Sequence, residues 1–442
     1  MITQVKECME SLADFRRKRR RCLDYTYGRQ WNDIIEVDGR KISEYEYILR
    51  EGNVPLKNNL IRRIVRNVLG VFRGRLPDYM KEFYDADLAA VAEGNSMEEL
   101  FCRTMEEFLI SGMAVHRKRL GYFGDIPGVF TEIVSPGDFF FNTDSRDPRG
   151  RDLEMVGQCH RVGFNEWCRA FVEDKIDFEK ASLIFKNRRA TINVTEVWRK
   201  ETTGRYLMHD RATGRLLRLS EEEYRKAGAG YRLARWELTD LWRYYFLTDD
   251  GNVLYSGDSP FADGSHPYVM KCYPFLDGEI QSFVGDMIDQ QRYTNRLITL
   301  YDWVIRASAK GVLLIPEGAV DPADLRGVAD QWSRFNGVIV YKAKPENPEP
   351  RQINSNVANL GISELLEIQL KMMEDVSGVN GILQGNISNG NVSGTLYESQ
   401  TANAMCSLED FLATFRIFIK DCAAKDRMLL AQTQGKEISQ PY

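Results

Sequence analysis

From about Thr395 the chain runs some forty residues without a proline or glycine, until Gly435, and this limits its possible folds more than any other feature. Such a stretch reads as one continuous helix, far longer than the ~11–12 residues of an average one. A helix of that length is held by packing more than by propensity, so it needs a surface to lie along. Lipid is not that surface. The apolar runs, of which GVLLIP and GVIVY are typical, fall short of the ~20 residues that span a bilayer. With 43% apolar and 28% charged residues among 442, the composition is that of a folded protein of about two to four domains.

Charge is distributed unevenly. The chain carries 59 Lys and Arg against 64 Asp and Glu, a net −5 that argues against coating nucleic acid over the whole surface. Residues 1–80 are the exception, with 17 basic against 11 acidic side chains. That N-terminal stretch reads as helical and contains RRKRRR, Arg16 to Arg21. At about 100° per residue, six consecutive charges point all around a helix axis. Two readings stand for Arg16, Arg17, Lys18, Arg19, Arg20 and Arg21: a solvated helix with arginine stems lying on neighbours, or a contact with phosphates or with another subunit's acidic surface. The opening MITQVKECMES lacks the basic-then-apolar order of an export signal, and the eight scattered cysteines include no C-x-x-C pair. Both features predict reduced, structural thiols and cytoplasmic residence.

Along the chain, KNNLIRRIVRNVLGVFRGRLP carries an apolar i, i+3, i+4 stripe and predicts a helix closed by Pro77. SMEELFCRTMEEFLI predicts a second helix, ended by Gly112. Then MAVHRKR, FTEIV, DFFFNT, EMVGQCHRV, NVTEVWRKE, RYLMHD and RLLRLS read as short strands of a meander, with ATG as a hairpin turn between the last two. The fold class is therefore α+β. A long helix follows from about Ser282 to Ser308, then a small subdomain in which VLLIP and GVIVYKA flank DPADLRGVADQW and which closes in the extended PENPEPRQ. A second helix, Ile362 to Val376, leads through the Gly/Asn/Ser loop QGNISNGNVSG into the forty-residue helix.

Enzyme signatures are missing. The sequence has no G-x-x-x-x-G-K-[ST], no placed G-x-G-x-x-G, no G-x-S-x-G and no H-E-x-x-H. Cys159, His160 and Cys168 come nearest to a metal cluster, yet adjacent strand residues point to opposite faces. No metal or cofactor is predicted. The acidic turn NTDSRDPRGRDLE brings Asp144, Asp147, Asp152 and Glu154 near one another, interleaved with arginines, and reads first as a solvated loop and second as a two-metal nuclease centre. Dispersed tryptophans offer no base-stacking platform and read as core or interface residues.

The succession of long helix, inserted subdomain, second helix, Gly/Asn/Ser loop and very long helix resembles the tailed-bacteriophage portal proteins, the head-to-tail connectors. SGMAVHRKR with VFTEIVSPGDFFFNTDSRDP is similar to their wing, HPYVMKCYPFLDGEIQSFVGDMIDQQRYTNRL to the entry into their first stem helix, and VSGTLYESQTANA to the start of their long wing helix. The resemblance implies N-terminal helices and an α/β wing over 1–280, stem helices over 281–308 and 358–384, and a small α/β clip over 309–357. It further implies a tunnel loop over 385–393 and a long wing helix with a short tail over 394–442. Because the chain stops soon after that helix, a reduced or absent crown is expected.

What the resemblance implies for function is a ring, usually a dodecamer, at one capsid vertex of the virion. Double-stranded DNA is packaged and ejected through it, and terminase, tail adaptors and the major capsid protein bind it; assembly takes place in the host cytoplasm. Asn386, Ser388, Asn389 and Asn391 would line the channel as neutral contacts that do not grip phosphates. Glu317, Asp321 and Asp324 would belong to the clip's docking face. No catalysis and no membrane are expected. The alternatives are a metal-dependent nuclease built on Asp144, Asp147 and Asp152, or a head or adaptor component without a channel.

Overall fold

In the computed structural model the forty-residue run is one helix; residues 1–123, 126–187, 191–228, 230–310, 312–316, 320–321, 323–333, 351–353, 361–379 and 394–433 are described. The chain opens with helices α1 (Ile2–Ser11) and α2 (Ala13–Thr26), then strands β1 (Ile34–Val37) and β2 (Arg40–Ser43). Helices α3 (Glu44–Arg50), α4 (Leu60–Phe83), α5 (Ala89–Gly94) and α6 (Met97–Ser111) follow. Next come β3 (Met113–Phe123), β4 (Ile126–Ile133), β5 (Phe139–Phe141), β6 (Met155–Gly163), α7 (Phe164–Phe171) and α8 (Lys175–Asn187). The strand-rich stretch continues through β7 (Thr191–Asp210), β8 (Leu216–Leu219), α9 (Glu221–Lys226), β9 (Tyr231–Thr248), β10 (Val253–Asp258), β11 (Tyr268–Cys272), β12 (Phe275–Leu276) and β13 (Glu279–Ile280). A 3₁₀ turn (Gly285–Met287) precedes α10 (Ile288–Lys310), β14 (Val312–Leu314), α11 (Leu325–Ser333), β15 (Arg351–Ile353), α12 (Ile362–Ser377) and α13 (Gly394–Thr433).

Two compact units result, one of Met1–Leu23, Val65–Gly285 and Ser388–Tyr442, the other of Asp24–Ile64 and Asp286–Ile387. In the first unit, β10-β9-β7-β6-β5 form one antiparallel sheet with β8 branching from β7, and β11-β3-β4 form a second. Helix α13 packs on the second sheet. Its inward positions, Leu408, Leu412, Phe415, Ile419, Cys422, Asp426 and Leu429, recur every three or four residues and are fully buried. Phe72 of α4 and Phe101 and Phe108 of α6 close around Phe415, with ring centroids 5.1 to 6.5 Å apart. His116 lies inside this core, its Nε2 2.7 Å from Thr104 Oγ1, and burial holds its pKa well below the ordinary value.

In the second unit α10 lies against α12, β1 pairs with β2, and β14 pairs with β15. A hydrogen-bonded set of amides joins α10 to the segment before α4. Buried Gln291 accepts from the backbone N–H groups of Leu60 and Ile61 at 2.9 and 3.2 Å and donates to Asn58 O at 2.6 Å. Asn295 accepts from Asn58 N at 3.1 Å and donates to Gln30 Oε1 at 2.7 Å. Side chains from α10 thus satisfy two of the orphan donors at the start of α4.

Several elements depart from the sequence reading. Pro77 lies inside α4 rather than closing it. The lost N–H costs one ladder bond, but Leu76, Tyr79 and Tyr84 remain buried beyond it, and that packing carries the helix through. The N-terminal stretch read as helical holds the β1–β2 hairpin. NVTEVWRKE and RYLMHD are one twenty-residue strand, because β9 pairs along it and supplies the ladder. Helix α10 begins at Ile288, six residues later than the pattern from Ser282 indicates. Gly112 does end α6, at φ 78° with its N–H on Phe108 O, and every strand pair is antiparallel, in keeping with a meander.

Candidate functional site

The arginine run forms part of α2, whose inner face buries Phe15 and Cys22. Arg16 donates to three carbonyl oxygens, Gly137 and Phe139 at 2.8 and 2.9 Å and Met9 at 2.7 Å, and its burial lowers its pKa. Arg19 grips Glu107 with two bonds of 2.7 and 2.9 Å, made possible because Gly137 has no side chain where its guanidinium passes. Arg17 and Lys18 face outward and both reach Asp14, at 2.5 and 3.1 Å. Arg20 and Arg21 also engage other groups of the chain. Within one chain the run is therefore largely a lock between α2 and the β5 region.

The acidic turn closes on itself. Asp152 accepts from Ser145 Oγ at 2.8 Å and from the N–H groups of Arg146 and Asp147 at 2.6 and 3.0 Å. Burial raises its pKa, but these donors outweigh burial and hold the carboxyl below the usual range. Asp147 caps Arg149 N at 2.7 Å, and Arg149 forms a two-bonded pair with Asp421 of α13. These carboxylates shape a loop and anchor it rather than converge on an ion. Among the described residues no group of three or more His, Cys, Asp or Glu is placed to hold a metal.

A cleft of about 320 Å³ in the first unit went unread in the sequence; Arg117, Arg119, Glu132, His160 and Phe246 are among its walls. Beside it Glu196, with no exposed surface, receives His160 Nε2 at 2.8 Å, Trp198 Nε1 at 2.7 Å and the Arg117 guanidinium at 3.2 Å. Burial pushes its pKa up, yet the Arg117 charge and the His160 bond win and bring it down to about 2. Arg117 in turn is held above its usual value by Glu196 against the pull of burial. Charges so closed on one another tie β3 to β6 and β7 and leave no group poised to exchange a proton near neutral pH. The available signal was the run His116 to Arg119, charged at every position in an otherwise buried strand.

Helices α10 and α12 are apolar on more than the face they share. Tyr293, Leu300, Tyr301, Trp303 and Ile305 of α10 are 40 to 49% exposed, and Leu365, Ile368, Leu370, Met372 and Val376 of α12 are 36 to 48% exposed. Asp321 and Asp324 lie exposed in the turn before α11, with Asp324 N on Asp321 O at 2.9 Å. Glu317, Asn386, Ser388, Asn389 and Asn391 lie outside the described residues.

Helices with apolar faces turned to solvent, and a cleft whose charges neutralise one another, define a subunit that assembles with other protein rather than one that turns over a substrate. The family model for phage P22-like portal proteins matches residues 2–425, nearly the whole chain, and the chain belongs to that family. No curated protein matches it. The family is a structural one found at a phage capsid vertex, which replaces the nuclease alternative. No helix among the described residues is long and apolar enough to cross a membrane.

Proposed function

We propose that this chain forms a closed ring, of about twelve copies as the resemblance implies, through which double-stranded DNA enters and leaves the capsid. The observation that supports it best is the second apolar face of α10 and α12. A helix pair that buries one face internally and keeps another apolar is built for side-by-side packing, and a heterologous contact that closes by rotation gives cyclic symmetry. In this reading α10 and α12 are the stem, β14, β15 and α11 belong to the clip, and α13 is the long wing helix. The ring is passive, and the packaging motor supplies the energy.

Asn386, Ser388, Asn389 and Asn391 form the tunnel loop. Neutral amides and hydroxyls let phosphates pass, whereas a lysine-lined constriction would release and rebind counterions at each step. Glu317, Asp321 and Asp324 face the terminase and then the tail adaptors, and the exposed part of the Arg16 to Arg21 helix faces DNA or a neighbouring subunit. Subunits assemble in the host cytoplasm with the major capsid protein.

Class averages of the purified protein by electron microscopy, with mass measured in parallel, test the ring: a central hole wide enough for duplex DNA is expected, and a strictly monomeric particle at every concentration and salt counts against it. Replacing residues 385–393 by a short turn should abolish DNA filling while rings still form; undiminished filling rejects the loop's role.

A further inference from the structure

The distal ends of β7 and β9 form a ribbon that is open on both sides: β9 is exposed at every position from Tyr231 to Trp236. The register sets Gly204 opposite Leu238, Tyr206 opposite Trp236, Met208 opposite Leu233 and Asp210 opposite Tyr231, while β8 places Leu217 beside Met208. Directly paired residues share a face. One face therefore carries Tyr231, Leu233, Trp236 and Leu238, exposed by 36, 43, 56 and 64%, with Leu217 alongside. The reverse face is polar, with Glu237 held between Arg218 and Arg235 at 2.7 and 2.8 Å. Gly204 is part of the arrangement: a side chain there would come within 2.7 Å of the Trp236 indole, which lies directly over the bare backbone.

A ribbon wet on both sides gains nothing by sorting its apolar residues onto one of them, so this sorting marks a face that is covered in the working assembly. The first unit has a second and unlike apolar surface in α8, where Ile176 and Leu183 are 62 and 63% exposed and Phe178 and Ile184 flank them. Two different patches on one chain are what a heterologous, ring-closing contact requires. Their combined area is on the order of half the ~1,600 Å² of a standard interface. The apolar faces of α10 and α12 supply further area for the same assembly.

We propose that the Trp236 face of the ribbon docks on α8 of a second copy of this chain, repeated around the ring; the inference rests on the ring reading above. The experiment places a photoreactive benzoylphenylalanine at position 238 of the full chain and irradiates assembled protein. A ladder of covalent multimers is expected, with the linked peptide falling within residues 164–187 of the other copy. Trp236→Glu should reduce the ring fraction at least tenfold at fixed concentration without moving the monomer's unfolding midpoint, and Gly204→Val, which displaces the indole, should reduce it too. Rings at the wild-type level in Trp236→Glu, or rings whose cross-links stay within one chain or land elsewhere, overturn this contact alone. A wild type that never assembles and never cross-links overturns the ring reading and this inference with it.

Discussion

Asp426 is buried with no exposed surface, and its Oδ2 takes the Lys118 ammonium at 2.7 Å and the Tyr84 hydroxyl at 2.8 Å. Lys118→Met leaves that carboxylate buried and unpaired, and should cost about 3–5 kcal/mol in denaturant unfolding. The double variant Lys118→Met with Asp426→Leu should recover most of the loss. Nearby Lys425 is pulled down to about 8, burial being the main cause. Its folded pKa is below the unfolded one, so the unfolded chain binds more protons between about pH 8 and 10.4, and stability from this group rises with pH there. Lys425→Met should flatten that rise in a series of melts. Glu196 runs the other way: depressed to about 2, it contributes stability above pH ~4.3 that is lost as pH falls toward 2, and Glu196→Gln should remove that acid limb. None of this was legible in the sequence. His116, Arg117, Lys118 and Arg119 look like a solvated strand edge, and the partners that make them internal, Glu196 and Asp426, lie far along the chain.

At the scale of elements, Gln291 is the clearest target. Gln291→Leu keeps the bulk but strands the Leu60 and Ile61 N–H groups, and equilibrium unfolding should register a loss of about 1–3 kcal/mol. Elements with a strong local signature were readable before any coordinates. A forty-residue run without helix breakers becomes α13, and Gly112 stops α6 because only a residue tolerant of φ 78° can turn there. Where tertiary partners overrule local chemistry, reading failed. Packing of Leu76 and Tyr79 outweighs Pro77, and β9 fuses two apparent strands into β7. The helices α7, α8 and α9 are short, and their patterns did not rise above the turn-rich background.

For the whole molecule, order of elements carried more than any single motif: the family match over residues 2–425 agrees with a resemblance drawn from that order. The joining of residues 24–64 with 286–387 in one unit was not legible, since it depends on amide side chains of α10 meeting backbone groups more than two hundred positions earlier. An interface made chiefly of apolar helix faces predicts how assembly responds to solvent. Raising sodium chloride from about 0.1 to 1 M, which shortens the screening length to roughly 3 Å, should leave the ring fraction unchanged or higher by sedimentation. An assembly held by ion pairs would fall apart over the same range. The seam of α13 has one more consequence, in time rather than in space. Sheet β11-β3-β4 is complete once Cys272 has emerged, yet the helix that covers it is translated last among the described elements. At roughly 5–20 residues per second the ribosome holds a bare apolar sheet for on the order of ten seconds or more. Every new subunit therefore passes through a chaperone-dependent interval, and no copy is competent to join its neighbours before its own synthesis is nearly over.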